Sequence, residues 1–293
     1  MHIVSGATGH VGAFVANALL ERKESVTVIL HHPEKAARWQ QKGAQVAIAD
    51  VLDTQKLQEI FQSGKRFFLL NPPAAPNTDT VSKELETLGA MLQALKGSDI
   101  EKVVGESTYG AQAGEGIGDL GVLYKMEQEL KASAIPHSII RAAYYMSNWD
   151  AALATAVKEG KVHTLYPVDF KLPMVAPKDI GKIAARLMLA PINHTGLHYV
   201  EGPEMYSAAD VAAAFALALG KPVQAVETPP AQWEQLLTSN GFSKPAAASM
   251  MAMTAIILKG AYTKPNLPER GSTTLSQYIA ALVRKAEEKK VKP

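Results

Sequence analysis

A glycine-rich turn at the start of the chain combines residue types and a spacing that predict chemistry. Its residues are Gly6, Ala7, Thr8, Gly9, His10, Val11 and Gly12. Gly6 permits a tight turn, Gly9 lets the backbone approach a bound diphosphate, and Gly12 lets a helix pack closely on the preceding strand. A short apolar run precedes the turn and a helical pattern follows it. This order predicts a dinucleotide-binding motif, and the alternative is an ordinary tight turn.

The helix after the turn has one apolar face. Apolar residues recur at i, i+3, i+4, i+7 and i+8, which places them on one side of a helix. They are Val11, Phe14, Val15, Ala18 and Leu19. The N-terminus of this helix points at the turn, where free N–H groups and the positive end of the helix dipole favour a bound phosphate.

The end of the second predicted strand bears on which dinucleotide binds. This position usually carries an acidic residue for the ribose hydroxyls of NAD. Here it carries His31 and His32, with Lys35 and Arg38 nearby. Neutral or cationic groups suit the 2′-phosphate of NADP, so we expect NADP to be preferred and NAD to be the second choice. The alternative is a pair of solvated loop histidines, and no metal site is expected because adjacent side chains diverge.

Candidate binding residues also follow the third and fourth predicted strands. In open α/β sheets, ligands bind beyond the carboxyl ends of the strands. Asp50 is placed to accept a hydrogen bond from an adenine amino group while Val51 lies against the ring, although Asp50 could instead cap the next helix. Asn71, Pro72 and Pro73 predict a stiff loop that flanks the cofactor's ribose, or else a rigid turn without a ligand.

The fifth predicted strand is followed by what resembles a reductase site with one part missing. Ser107 follows the strand, and Lys125 lies further on in a helix. In short-chain dehydrogenases the proton-donating tyrosine precedes the lysine by four residues, and that position is Gly121 here. Tyr124 points elsewhere because neighbouring helical residues differ by ~100°. Lys125 is therefore a candidate for holding a cofactor ribose, and the alternative is an exposed helical lysine.

An α/β sheet would place all these residues at one edge. Short apolar runs predict strands at residues 3–5, 26–30, 46–49, 67–70, 103–104, 138–140 and 197–201. Helical patterns occupy residues 34–42, 55–62, 80–95, 120–132, 151–159, 177–189, 208–219 and 245–259. The strands lack clean alternation, as expected when helices cover both faces of a parallel sheet. The predicted fold class is α/β: a Rossmann-type, doubly wound parallel sheet with a smaller, mainly helical C-terminal substrate region.

The regular alternation stops after Trp149. We expect a dinucleotide-binding Rossmann domain at residues 1–149, to which residues 175–203 return. Residues 150–174 and 204–293 then form the smaller substrate-binding region. Residues 162–174 look irregular, and the charged residues 285–292 are expected to form a solvated terminus.

Composition excludes several classes of function. The chain has 293 residues, with 30 basic against 28 acidic residues and a formal charge of +2, so it lacks the basic surface of a nucleic-acid-binding protein. It contains no cysteine, which excludes disulfides and thiolate chemistry. No signal-peptide pattern or apolar run of membrane-spanning length is present, so we expect a cytoplasmic location and no membrane association. The sequence leaves open whether the chain is a monomer or a homodimer.

Several stretches of the chain resemble the NmrA-like branch of the atypical short-chain dehydrogenases. They are residues 6–12, residues 68–73, Lys125 with residues 133–136, and residues 141–149. This branch includes NADPH-dependent quinone and triphenylmethane-dye reductases and a non-catalytic transcriptional regulator. The resemblance implies that Lys125, Tyr144 and Tyr145 border the nicotinamide. Two departures are His31, where the family usually has an arginine for the 2′-phosphate, and Ala142, where it usually has proline.

Two functions fit these observations. The first is an NAD(P)H-dependent reductase for a quinone-like or other conjugated aromatic acceptor, which needs little fixed acid catalysis because Gly121 replaces the usual tyrosine. The second is a non-catalytic protein that senses the redox state of NADP. Two groups of side chains would line the acceptor site or else belong to the core: the aromatic residues Tyr144, Tyr145 and Trp149, and the methionines Met250, Met251 and Met253.

Overall fold

The computed structural model of the chain describes residues 1–291, with side chains up to residue 288. In chain order its strands are β1 (His2–Val4), β2 (Val26–Leu30), β3 (Gln45–Ile48), β4 (Arg66–Leu69), β5 (Lys102–Thr108), β6 (His137–Ala142), β7 (Tyr144–Tyr145), β8 (Lys161–Thr164), β9 (Leu172–Val175), β10 (Gly196–Glu201), β11 (Met205–Tyr206), β12 (Gln224–Glu227) and β13 (Glu269–Arg270).

The α-helices alternate with the strands through the first half of the chain. In chain order they are α1 (His10–Glu21), α2 (Ala36–Gln40), α3 (Thr54–Gln62), α4 (Thr80–Leu95), α5 (Asp119–Ala132), α6 (Ala152–Glu159), α7 (Pro177–Leu189), α8 (Ala208–Leu219), α9 (Trp233–Ser239), α10 (Lys244–Leu258) and α11 (Leu275–Val291). None of the helices within residues 1–291 is long and apolar enough to cross a membrane.

Eight strands form one parallel sheet in the order β13-β10-β6-β5-β4-β1-β2-β3. The chain starts in the middle of the sheet, builds outward through β2 and β3, and then returns to build the other half from β4. Helices cover both faces, so the predicted doubly wound Rossmann-type fold is confirmed. Because the strands are parallel, the carboxyl ends of β1 to β6 meet along one edge, where the candidate residues follow them.

Two apolar layers hold the sheet between the helices. One face packs against α1 and α7, and the other packs against α3, α4 and α5. The predicted apolar face of α1 is only partly correct, because Phe14 is 38% exposed whereas Ala16 is fully buried. Phe14 instead lies against Gly181, where an added Cβ would collide with the Phe14 side chain. Gly181 therefore permits the close packing of α1 on α7.

The second half of the chain departs most from the predicted elements. Residues 162–174, expected to be irregular, include most of β8 and β9. β8 pairs with β12, and β9 lies between β7 and β11 in a separate small sheet. A third apolar cluster lies beneath these strands against α6, α8 and α11. β8 is a four-residue strand with only two apolar-facing positions, and Pro173 interrupts the apolar run of β9, so neither segment stands out as a strand in the sequence.

One predicted helical segment and the C-terminus also differ from the expectation. The expected helix at residues 34–42 is a 3-10 turn, Pro33–Lys35, followed by the short α2. The expected solvated terminus continues as part of α11 up to Val291, with exposed charged side chains such as Lys285 and Glu287. Residue 292 of that predicted terminus lies outside the described residues.

Two basic side chains at the amino ends of β5 and β4 bind the segment that leads from α7 into β10. Lys102, at the start of β5, is fully buried and donates from Nζ to the carbonyl oxygens of Pro191 (3.0 Å) and His194 (2.8 Å). Arg66, at the start of β4, donates to the carbonyl oxygens of Met188 and Ala190. These bonds satisfy backbone carbonyl oxygens at the end of α7 and in the loop that leads into β10.

Candidate active site

The glycine-rich turn joins β1 to α1 at the carboxyl edge of the sheet. Gly6 has a φ of +67°, in the left-handed region that favours glycine. The Gly9 N–H donates to the carbonyl oxygen of Gly6 at 2.9 Å. A Cβ at Gly12 would collide with the same oxygen. A Cβ at Gly9 would meet only that oxygen, at 3.3 Å. Gly12 therefore lets α1 start against the turn, while Gly9 presents bare backbone to open space.

The first turn of α1 fits an anion. Gly9 is the N-cap residue, and within the described chain no side chain caps the helix. Thr8, His10 and Val11 line the same cavity as Gly9. Free N–H groups and the positive end of the helix dipole therefore face this cavity, which is the arrangement that suits the diphosphate of a dinucleotide.

A first cavity, of about 440 Å³, lies where β2, β3 and β4 end. It brings together His31, Asp50 and Val51 with Pro72 and Pro73. The volume and the apolar walls suit one half of a dinucleotide. Its residues come from three separate strand ends, as expected for a ligand at the edge of a parallel sheet.

The hydrogen bonds at the end of β3 exclude one of the two interpretations of Asp50. Its Oδ1 accepts from the Leu52 N–H at 2.9 Å. The residue that caps α3 is Asp53, which accepts from the Lys56 N–H at 2.9 Å. The capping alternative for Asp50 is therefore wrong, and its carboxylate stays at the wall of the first cavity.

The two adjacent histidines after β2 differ in position. His31 lines the first cavity. Nδ1 of His32 lies 3.6 Å from a carboxylate oxygen of Glu34. The cavity also contains Lys83 of α4, whose Nζ donates to Glu86 at 2.8 Å. The sequence pattern did not indicate Lys83, because only the packing of α4 against the sheet brings it to this wall.

A second cavity, of about 800 Å³, continues from the first along the same edge. The two share five residues: Gly6, Thr8, Leu70, Pro72 and Pro73. Of the residues predicted from the sequence, the second cavity gathers Gly6, Thr8, Gly9, His10, Val11, Asn71, Pro72, Pro73, Ser107, Tyr144 and Tyr145. The combined groove crosses the sheet edge from the end of β3 to the end of β6.

Two polar residues at this groove already have protein partners. The Asn71 side chain donates to the Glu84 carbonyl oxygen at 3.0 Å and accepts from Thr87 at 2.9 Å, which fixes the proline loop on α4. The Ser107 hydroxyl donates to Glu127 of α5 at 2.5 Å. These bonds hold the walls of the groove in place.

Three acidic residues that the sequence analysis did not select also line the second cavity. They are Glu84, Glu106 and Asp119. Burial and the nearby charge of Asp119 raise the pKa of Glu84 to about 7, and burial raises the pKa of Glu106 to about 8. Burial also raises the pKa of Asp119. In the structure Glu106 lies within β5, which continues through Thr108 paired with β6, and the sequence does not show that its side chain is buried at the cavity wall.

A third, smaller cavity of about 180 Å³ extends the groove towards α10. Tyr144 and Met253 line both this cavity and the second one. Tyr166, packed edge-on against Tyr144, and Met250 complete much of its apolar wall. Trp149 is buried in the third apolar cluster and lines none of the three cavities. The aromatic and methionine side chains therefore divide between the cavity wall and the core.

Lys125 does not reach this groove. It lies on α5 with its side chain exposed, and it lines none of the three cavities. The face of α5 that meets the second cavity carries Leu120 and Leu123. Residue 125 lies about 200° around the helix from residue 123, so it points to the opposite side.

The model of the NmrA-like family matches residues 3–291, so the chain belongs to the NmrA-like family. A curated relative, the NAD(P)H azoreductase of Xenophilus azovorans, is 23% identical over 286 residues, which cover 96% of this chain and 97% of that protein.

Two solved structures share the fold over nearly the whole chain. The NADPH-dependent quinone oxidoreductase of Escherichia coli, complexed with NADPH, has a TM-score of 0.75 at 21% identity, covering 96% of this chain and 99% of that one. The triphenylmethane reductase of Citrobacter sp., complexed with NADP(H), has a TM-score of 0.77 at 18% identity, covering 97% and 99%.

Proposed function

We propose that the protein is an NAD(P)H-dependent reductase of conjugated aromatic acceptors. The observation that carries this proposal is the continuous groove that runs from His31, past the glycine turn, to the aromatic and methionine wall around Tyr144. Its length and its two chemically different ends suit a dinucleotide beside an aromatic acceptor. The relatives, which are named as azo, quinone and dye reductases, support the same reaction class.

In this proposal the dinucleotide lies along the groove with its diphosphate at the N-terminus of α1. The adenosine half occupies the first cavity, beside Asp50 and Val51. The nicotinamide half occupies the second cavity, beside Ser107 and Tyr144. Residues 1–149 and 175–203 thus form the dinucleotide-binding unit, and residues 150–174 and 204–293 contribute the acceptor side.

We propose that NADPH is the preferred cofactor. His31 and Lys83 are the basic residues that line the first cavity, and Asp50 is its acidic residue. A 2′-phosphate beside His31 would lie near these basic side chains, which favour its negative charge. A histidine nevertheless holds a phosphate less firmly than a bidentate arginine does. The preference over NADH should therefore be moderate.

The acceptor is proposed to be a flat, conjugated molecule such as a quinone, an azo compound or a cationic dye. The third cavity offers aromatic rings and flexible methionine side chains, which adapt to flat apolar ligands. Gly121 occupies the position of the tyrosine acid of short-chain dehydrogenases, so α5 supplies no proton there.

The test is the oxidation of NADPH, followed by the loss of its absorbance, with a quinone, an azo compound and a cationic triphenylmethane dye as acceptors. We expect turnover with at least one acceptor and tighter binding of NADPH than of NADH. Tight NADPH binding without turnover of any acceptor would contradict the reductase and support the alternative, a protein that senses the dinucleotide. Absence of dinucleotide binding would contradict both functions.

A further inference from the structure

The buried Glu106 and the partly buried Tyr145 form a hydrogen-bonded pair on the wall of the second cavity. The Tyr145 hydroxyl donates to Glu106 Oε1 at 2.7 Å, and both residues line the cavity. Glu106 lies near the carboxyl end of β5, and Tyr145 lies on β7, just after the end of β6. The pair therefore faces the part of the groove that the proposed function assigns to the nicotinamide and the acceptor.

The second carboxyl oxygen of Glu106 is unsatisfied. Oε2 is buried and has no hydrogen-bond partner within the described part of the chain, and the whole residue is only 4% exposed. An ionised carboxylate with a bare oxygen in such a place is costly. Burial accordingly raises the pKa of Glu106 to about 8, although the Tyr145 hydrogen bond opposes this effect. At neutral pH, Glu106 is a carboxylic acid that holds a proton.

The ionisable side chains on neighbouring elements contact one another. On α1, His10 lies 3.7 Å from Asp150, which follows β7. Directly after β5, the strand that carries Glu106, the Tyr109 hydroxyl donates to Glu201 of β10 at 2.9 Å. Arg270 of β13 lies 3.2 Å from the other oxygen of that glutamate. None of these contacts includes Glu106.

Two further groups of ionisable residues complete the surroundings of Glu106. Glu127 of α5 and Arg141 of β6 form an ion pair at 2.6 Å. The other acids that line the cavity, Glu84 and Asp119, have raised pKa values of their own. Within residues 1–288, the side-chain partner of Glu106 is the Tyr145 hydroxyl.

We propose that Glu106 and Tyr145 form a proton relay that protonates the acceptor as it is reduced. This proposal rests on the proposed reductase function. The pair would supply the proton that a tyrosine supplies in short-chain dehydrogenases, where this chain has Gly121. The relay begins when the hydrogen bond reverses, so that Glu106 donates to Tyr145 Oη and Tyr145 donates to the acceptor.

The step balances for an azo acceptor. One nitrogen of the N=N bond takes the hydride of the reduced dinucleotide, and the π electrons of that bond move to the other nitrogen. That nitrogen takes the Tyr145 hydroxyl proton, and Tyr145 Oη takes the proton of Glu106, which becomes a carboxylate. The azo bond is reduced to a hydrazine, the dinucleotide is oxidised, and a proton from water reloads Glu106 before the next turnover.

The relay distinguishes between acceptors. An azo bond needs a proton together with the hydride, because its hydride adduct is a strongly basic nitrogen anion. A cationic triphenylmethane dye is neutralised by the hydride alone, so its reduction needs no acid. Loss of the relay should therefore slow reduction of the azo compound and leave reduction of the dye nearly unchanged.

The experiment compares Glu106→Gln and Tyr145→Phe with the unaltered enzyme on a neutral azo compound and a cationic triphenylmethane dye. Glu287→Gln and Tyr124→Phe are matched controls, since neither residue lines any of the three cavities. General acid catalysis contributes 10²-fold or more, so we expect kcat for the azo compound to fall about 100-fold in both relay variants. The kcat for the dye and the Kd of NADPH should change less than about threefold.

The pH profile gives a second readout. In the unaltered enzyme, kcat for the azo compound should fall above about pH 8, where Glu106 loses its proton. The dye reaction should lack this fall, and Glu106→Gln should abolish it for the residual azo reaction. A purely structural role of the pair would not separate the two acceptors in this way.

Four outcomes would contradict the relay. Equal losses with both acceptors would show that the pair only shapes the cavity, and unchanged azo reduction in either folded variant would exclude a proton role. Reduction of the dye but not of the azo compound by the unaltered enzyme would also overturn the relay alone. Failure of the unaltered enzyme with both of these acceptors and with a quinone would overturn the proposed function and the relay together. Thermal denaturation checks that each variant is folded.

Discussion

The glycine turn permits a prediction in which dinucleotide binding and folding separate. Gly9→Val should weaken NADPH binding and preserve the fold. Gly9 has a φ of −90° and a ψ of −175°, which valine adopts without strain, and a Cβ there would meet only the Gly6 carbonyl oxygen, at 3.3 Å. The added methyl groups extend into the second cavity, which Gly9 lines.

The size of the effect follows from the hydrogen bonds that the diphosphate loses. Displacing it from the N-terminus of α1 removes about two charge-assisted hydrogen bonds of about 1.5 kcal/mol each. The sum of about 3 kcal/mol corresponds to a Kd about 100-fold higher. The free energy of unfolding should fall by no more than about 1 kcal/mol, the cost of replacing glycine at an N-cap.

Gly12→Ala should show the opposite pattern. Its Cβ would collide with the Gly6 carbonyl, so the backbone of the turn must shift. We expect a loss of about 1–3 kcal/mol in the free energy of unfolding, as for overpacked cores. Gly89→Val, at an exposed position on α4 with open space around it, is the matched control and should leave NADPH affinity unchanged.

Titration calorimetry with NADPH and urea denaturation measure the two quantities separately. If Gly9→Val bound NADPH as tightly as the unaltered protein, the diphosphate could not lie at the N-terminus of α1. If Gly9→Val destabilised the protein as much as Gly12→Ala does, the contrast between the two glycines would be wrong.

Three further predictions concern cofactor choice, α5 and stability. His31→Glu should raise the Kd of NADPH about tenfold or more through repulsion of the 2′-phosphate and leave NADH binding unchanged, whereas His32→Glu should not; equal effects of the two substitutions, measured by calorimetry, would exclude His31 as the phosphate contact. Lys125→Ala, which the family resemblance would predict to weaken NADPH binding, should leave the Kd within about twofold because the side chain is exposed; a clear loss of affinity would show that Lys125 reaches the cofactor. The folded-state pKa of Glu106, about 8, lies above its ordinary value of 4.5, so the folded protein binds more protons between these pH values and its stability should fall as pH rises, by up to about 1.4 kcal/mol per pH unit. Urea denaturation at pH 5.5, 6.5 and 7.5 should show that Glu106→Gln removes this contribution, and identical pH slopes in both proteins would contradict the raised pKa.

Much of the first half of the fold is local in origin, which is why it could be predicted. The apolar runs of β1, β2 and β4 are long enough to be recognised, and the helices between them have distinct apolar faces. Once a parallel sheet is inferred, the strand ends must share one edge. The residues that follow the strands, such as His31, Asp50 and Asn71, could therefore be selected without a structure.

The second half could not be predicted in the same detail, because its elements depend on distant partners. β12 is a strand because it pairs with β8, more than fifty residues earlier in the chain. β13 is a strand because it pairs with β10. The buried Lys102 is another example. Its ammonium group is satisfied by carbonyl oxygens about ninety residues further along the chain.

The sequence by itself determined the glycine turn, the order of strands and helices in the first half of the chain, and the family, because each of these is encoded in residue types over short spans. Only the tertiary structure decided which side chains reach the groove. It places Lys125 on the exposed side of α5 and brings Glu106, Tyr145 and Lys83 to the cavity walls. The physical reason is that the direction of a side chain and the pKa of a buried acid depend on what packs around them, and these neighbours come from remote parts of the chain.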